Sequence, residues 1–118
     1  MIAVIFEVIP NDGQKDEYFR IAETLRPTLE KMDGFISIER FQSLKDTGKI
    51  LSLSFWRDEE SIRQWRNVEM HRWAQSKGRE SIFKDYRLRI AVVSRDYGMF
   101  DRKEAPDDSK DFHDKELL

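Results

Sequence analysis

The chain has 118 residues, 39% hydrophobic and 37% charged; 21 basic and 23 acidic side chains nearly cancel to a formal net charge of -2, and the mean hydropathy is -0.71. That size suits one domain with a real core, and without a concentrated basic excess there is no nucleic-acid footprint. The absence of cysteine removes disulfides, thiolate chemistry and Cys-based zinc sites together and is compatible with an intracellular, cytoplasmic protein.

Ile2 to Ile9 is apolar on both alternating faces apart from Glu7, the pattern of a strand covered on both sides of its sheet. The run is too short to span a bilayer and lacks a preceding basic region, so neither a membrane span nor a targeting signal is expected. Glu7 reads either as a rim carboxylate paired with an arginine or as a carboxylate facing a pocket. Pro10-Asn11-Asp12-Gly13 forms a turn, after which Tyr18, Ile21, Ala22, Leu25, Leu29 and Met32 fall on one helical stripe. Pro27 sits inside that stripe and predicts a kink near residues 22 to 24 or a break into two shorter helices; Asp33-Gly34 supplies the stop.

Phe35 to Ser43 and Lys49 to Trp56 read as two strands joined by a glycine-containing loop, an antiparallel hairpin. Asp58, followed by Glu59 and Glu60, is an N-cap with acidic residues in the first turn of a second helix. The apolar pattern of that helix loosens at Asn67 and Val68, which predicts a break and a fresh turn around His71 to Ser76, with a further short turn at 81–83. Asp85 to Met99 alternates cleanly and predicts a final strand about twice the usual length. Its three arginines, Arg87, Arg89 and Arg95, are expected to meet acidic residues of a second subunit. Residues 100–118 are charge-dominated and lack apolar periodicity, so they are expected to form a flexible tail outside a domain spanning 1–99.

Strand, helix, strand, strand, helix, strand is the split βαββαβ order of a ferredoxin-like α+β fold, a four-stranded antiparallel sheet with both helices on one face. A sheet apolar on both faces then has one face left over, which predicts a homodimer.

Among chemistry-bearing residues, His71 is the only histidine in 1–99 and is the candidate proton carrier. Gln75, four residues on, shares its helical face. Trp65 and Trp73 are candidate walls of an aromatic pocket, with Glu7 as a possible polar contact. No nucleotide fingerprint, serine elbow or metal-spaced histidine pair is present, which argues against nucleotide hydrolysis, serine catalysis and zinc chemistry, and no metal is expected.

The order of Asp33-Gly34-Phe35-Ile36-Ser37, Ser54-Phe55-Trp56, Ser61-Ile62-Arg63-Gln64-Trp65, His71-Arg72-Trp73-Ala74-Gln75, Asp85-Tyr86-Arg87 and Asp96-Tyr97-Gly98 resembles the antibiotic biosynthesis monooxygenase family, a branch of the dimeric α+β barrel proteins. The resemblance implies two sheets facing each other across a dimer, with a pocket in each subunit between helices and sheet. It implies a cofactor-independent monooxygenase that uses molecular oxygen on a small aromatic or quinol-like molecule. The same fold also hosts non-catalytic ligand-binding dimers and haem-degrading monooxygenases. The haem-degrading branch is similar at Trp65, but its members carry a haem-ligating histidine where this chain has Gln75 and an asparagine on the first strand near Glu7, so that reading trails the others.

Overall fold

A computed structural model describes the backbone of residues 1–75 and 79–116 and the side chains of 1–70 and 81–112. Its elements are β1 (Ile2–Pro10), α1 (Lys15–Glu30), β2 (Phe35–Gln42), β3 (Ile50–Trp56), α2 (Glu59–Gln75), α3 (Arg79–Ile82), β4 (Phe83–Val92) and α4 (Asp107–Glu116). The strands form one sheet in the order β2-β3-β1-β4, and every neighbouring pair is antiparallel. This is the split βαββαβ arrangement expected from the sequence.

Side-chain alternation divides the sheet into two faces. Ile2, Val4, Phe6 and Val8 of β1 share a face with Ile50, Ser52, Ser54 and Trp56 of β3, because the register sets Val4 opposite Ser54 and Phe6 opposite Ser52. The predicted stripe of α1 covers this face: Tyr18, Ile21, Ala22, Leu25 and Leu29 are all buried, and Met32 packs at its end. The larger of these side chains, such as Ile21, Leu25 and Leu29, each contribute about 1.5–3 kcal/mol on burial. Ile62 and Trp65 of α2 complete the cluster.

Pro27 lies inside α1, which continues as one helix through Glu30 rather than breaking in two. Proline removes the amide that would bond the Glu23 carbonyl. Glu23 is exposed, so water can take that bond. The predicted break in α2 does not occur either. No glycine or proline interrupts 59–75, and its loosened apolar pattern reflects the broad exposed surface of a helix with only one face on the sheet.

Two structural details fix the entry to α2. Asp58 Oδ1 accepts hydrogen bonds from the Ser61 amide at 2.9 Å and the Ser61 hydroxyl at 2.8 Å, the N-cap expected from sequence. Arg57 reaches both Asp33 carboxylate oxygens at 3.0 and 2.9 Å and Asp58 at 3.0 Å, tying the start of β2 to the start of α2. Gly34 between them has φ of 88°.

The last strand is shorter than expected and ends at Val92. Its ladder partner is β1, and pairing stops where that neighbour ends: Ile2 pairs with Val92, and the Val93 amide makes one more bond to the Met1 carbonyl. Beyond that point no further strand among the described residues is left to pair with. Arg89 lies 3.5 Å from Glu7 and Arg95 donates to the Glu104 carbonyl at 3.1 Å, so these arginines have partners within the chain rather than only across a dimer. Residues 107–116 form α4, an element that the charge-dominated sequence did not announce. Arg102 helps organise this segment by bonding the Gly98 carbonyl and the Ser109 hydroxyl.

Candidate active site

A cavity of about 430 Å³ lies between the helical layer and the sheet. Its floor is the inward face of the sheet: Val4 and Phe6 from β1, Ile38 and Arg40 from β2, Ser52, Ser54 and Trp56 from β3, and Tyr86, Leu88 and Ile90 from β4. Its roof is Tyr18, Ala22, Leu25 and Leu29 from α1 and Ile62, Trp65, Arg66, Glu69 and Met70 from α2. The size and largely apolar lining suit a small organic molecule. Tyr86, Leu88 and Ile90 are 42%, 46% and 41% exposed, so the cavity opens to solvent over β4.

Aromatic rings stand at two ends of this space. Phe6, Phe83 and Tyr86 meet edge-on with centroids 5.6 to 6.1 Å apart, and Tyr18 contacts Phe83 at 6.0 Å. Phe35 and Trp56 form the second contact at 5.4 Å. The Trp56 indole N–H donates to the Ser54 hydroxyl at 2.9 Å, which fixes the ring and satisfies a buried donor.

The polar groups of the cavity are few. Arg40 enters because β2 pairs with β3 in a register that sets Arg40 opposite Ser52, and Ser52 faces inward. Its Nε is buried and has no hydrogen-bond partner. The Tyr18 hydroxyl lies beside it. Burial pushes the Tyr18 phenol's pKa up, the neighbouring Arg40 guanidinium opposes that rise by charge and hydrogen bonding, and the Glu69 carboxylate adds to it. Tyr18 is therefore a protonated donor at neutral pH. Together Arg40, Arg66 and Glu69 leave one net positive charge among the lining residues.

The residues singled out from the sequence divide into three groups. Trp65 is buried and lines the cavity. Glu7 is on the opposite face of the sheet, outside the cavity; its carboxylate sits 3.4 Å from Lys49 and 3.5 Å from Arg89, and the Lys49 hydrogen bond leads in lowering its pKa. The paired-carboxylate reading fits that position, and the pocket reading does not. The side chains of His71, Trp73 and Gln75 lie outside the described residues.

Arg40, Tyr18 and Glu69 drew no attention in the sequence. Tyr18 was legible only as a core residue, and an arginine in a strand reads as surface until the register shows its face. The available signal was the spacing of Ile38 and Arg40, which puts an arginine on the same face as a core residue.

Residues 1–77 match the protein family described as antibiotic biosynthesis monooxygenase. The chain belongs to this family. A stretch of 94 residues is 51% identical to a protein named jasmonate monooxygenase ABM from Pyricularia oryzae, covering 80% of this chain and 44% of that protein. The chain thus matches under half the length of this relative. Two of the solved structures that share the fold bear on the site. One is SnoaB, a cofactor-independent oxygenase from Streptomyces nogalater, with a TM-score of 0.65 and 7% identity over 80% of this chain and 94% of the other. The second is MhuD with two manganese protoporphyrin IX molecules per active site, with a TM-score of 0.64 and 17% identity over 83% and 99% of the two chains. No helix among the described residues is long and apolar enough to cross a membrane.

Proposed function

We propose that this chain is a monooxygenase that transfers one atom of molecular oxygen to a small apolar molecule, aromatic or quinol-like, held between the helices and the sheet. The observation that carries the reading is the apolar cavity of about 430 Å³ in a member of the antibiotic biosynthesis monooxygenase family. A relative named as a monooxygenase and a fold neighbour titled a cofactor-independent oxygenase support it.

In the cofactor-independent form, a base removes a proton from an activated methylene or phenol, and the resulting carbanion or phenolate gives an electron to oxygen. For a methylene substrate the balance is complete. One oxygen atom becomes the carbonyl of the product, the other leaves as water with both methylene hydrogens, and the substrate supplies all four electrons. Apolar walls favour this course by excluding water from the reactive anion. Two residues of α2 can take the proton: His71, whose unperturbed pKa lies near neutrality, and Glu69, whose carboxylate lines the cavity. Trp65 supplies a wall, and Trp73 is proposed as a second.

The haem-degrading alternative rests on MhuD's likeness in fold. Among the described lining residues there is no imidazole or thiolate to serve as an axial ligand.

We further propose a homodimer formed through the sheet face that α1 and α2 leave uncovered. Ile5, Ile9, Leu51, Leu53 and Phe55 are only partly buried there, and Phe41 is 44% exposed.

The test is oxygen consumption by the purified protein with anthrone-like and quinol substrates, without added cofactor, alongside His71→Ala and Glu69→Gln. One oxygen consumed per substrate, with turnover lost in one variant while ligand binding is retained, supports the reaction and identifies the base. Binding without oxygen uptake on every substrate replaces the monooxygenase with a ligand-binding module.

A further inference from the structure

We propose that the cavity selects an apolar molecule bearing a carboxylate, and that Arg40, assisted by Tyr18, is the residue that holds that group. The inference rests on the cavity being the substrate site and adds the chemical class of what enters it.

The first ground is the state of Arg40. Its Nε is buried without a hydrogen-bond partner, at a position on β2 that faces the cavity. A guanidinium stays charged at any physiological pH and cannot escape burial by losing its proton. A buried donor left unpaired is costly, more so on a charged group, so such a donor facing a ligand-sized space is poised for an acceptor. The Nε and Nη edge of arginine offers two parallel N–H donors, matched in spacing to the two oxygens of a carboxylate.

The second ground is the surroundings. Tyr18 sits beside Arg40 as a protonated hydroxyl, a third donor for the same anion. Ser52, opposite Arg40 on β3, adds a hydroxyl to the lining. Arg66 and Glu69 of α2 also line the cavity, and with Arg40 they leave it one positive charge in excess, which a single carboxylate would neutralise. Beyond these groups the lining is dominated by Val4, Phe6, Leu25, Ile38, Trp56 and Leu88. The complementary ligand has a charged head on an apolar body.

Binding to the full-length protein is measured by titration calorimetry with matched sets of apolar carboxylic acids, cyclic and aromatic, and their methyl esters and primary amides. The wild type is expected to bind the acid about 10- to 100-fold more tightly than its ester, the range for a hydrogen bond to a charged group. Arg40→Met should abolish that preference, and Tyr18→Phe should reduce it by a smaller factor. The wild-type comparison stands even where a variant fails to fold. Equal binding of acid and ester, binding of neither, or a preference for acid that survives Arg40→Met each overturns the assignment. Oxygen uptake is recorded separately: an acid preference without turnover removes the monooxygenase reading and leaves the carboxylate site, whereas turnover of neutral substrates alone does the reverse.

Discussion

Replacing Gly34 with alanine should damage the protein far more than replacing Gly13, although both glycines have positive φ, 88° and 76°. For an L-residue such a backbone costs about 1–2 kcal/mol, and at Gly13 that is the whole expected effect, because an added Cβ would meet nothing within 4 Å. At Gly34 the added Cβ would clash with the Ser61 hydroxyl and lie 2.6 Å from Ser61 Cβ. A rotamer change can move the hydroxyl, but Ser61 Cβ is fixed to the first turn of α2, so the helix itself must shift. Overpacking of this kind adds about 1–3 kcal/mol. The sum for Gly34→Ala is about 2–5 kcal/mol, against about 1–2 for Gly13→Ala. In urea denaturation the Gly34 variant should show the lower midpoint with an unchanged slope. Pairing Gly34→Ala with Ser61→Gly isolates the contact, because the double variant retains the backbone cost but not the clash; the cycle should return a favourable coupling of about 1–3 kcal/mol. Equal losses at Gly13 and Gly34, together with zero coupling, would refute the argument that close approach of β2 and α2 demands glycine.

Three further outcomes can be checked in solution. Asp58 is held at a pKa of about 2 by the Ser61 amide first and by Arg57 and the Ser61 hydroxyl, so its contribution is fully present above the unfolded-state value near 3.8 and is lost as pH falls towards 2; the melting temperature of Asp58→Asn should therefore change less than that of wild type across this window. Sedimentation at micromolar concentration should give a dimer, burying on the order of 1,600 Å² in total, and a monomer would remove the proposed sheet-to-sheet interface. Truncation after Phe100 should leave the melting temperature within a few degrees, since among the described residues the main core cluster includes nothing beyond Phe83 and Ala105 is the one buried apolar residue removed; a large loss would mean that the segment carrying α4 braces the fold.

The fold was legible because its elements carry their periods in the sequence. The α1 stripe from Tyr18 to Leu29 and the two-sided pattern of Ile2 to Ile9 each determined an element and its faces. What the sequence misjudged depended on neighbours. The alternation of β4 continues past Val92, but a strand needs a partner, and the β1 ladder runs out at Ile2. The loosened pattern near Asn67 looked like a break because a helix exposed on most of its surface needs only a narrow apolar stripe, and hydrogen bonding along the backbone carried α2 through to Gln75.

The site followed the same division, with consequences for where its chemistry sits. Trp65 was recognisable from its own spacing on α2, and Glu7 was recognisable as a carboxylate needing a cation. Arg40 was not, since its role depends on which face of β2 it occupies, and that is settled only by pairing with β3. A shift of that pairing by one residue would send Arg40 to the opposite face and bring Glu39 or Phe41 to the cavity side. The hairpin loop guards against the shift: the Ser43 hydroxyl accepts the Asp46 amide, Asp46 accepts the Gly48 amide, and the Ser43 amide bonds the Lys49 carbonyl. These bonds lie at the end of the strand pair remote from α2, yet they help set the sign of the charge facing the cavity. Changes in this exposed loop are thus expected to alter ligand selection through register, without touching any residue that lines the site.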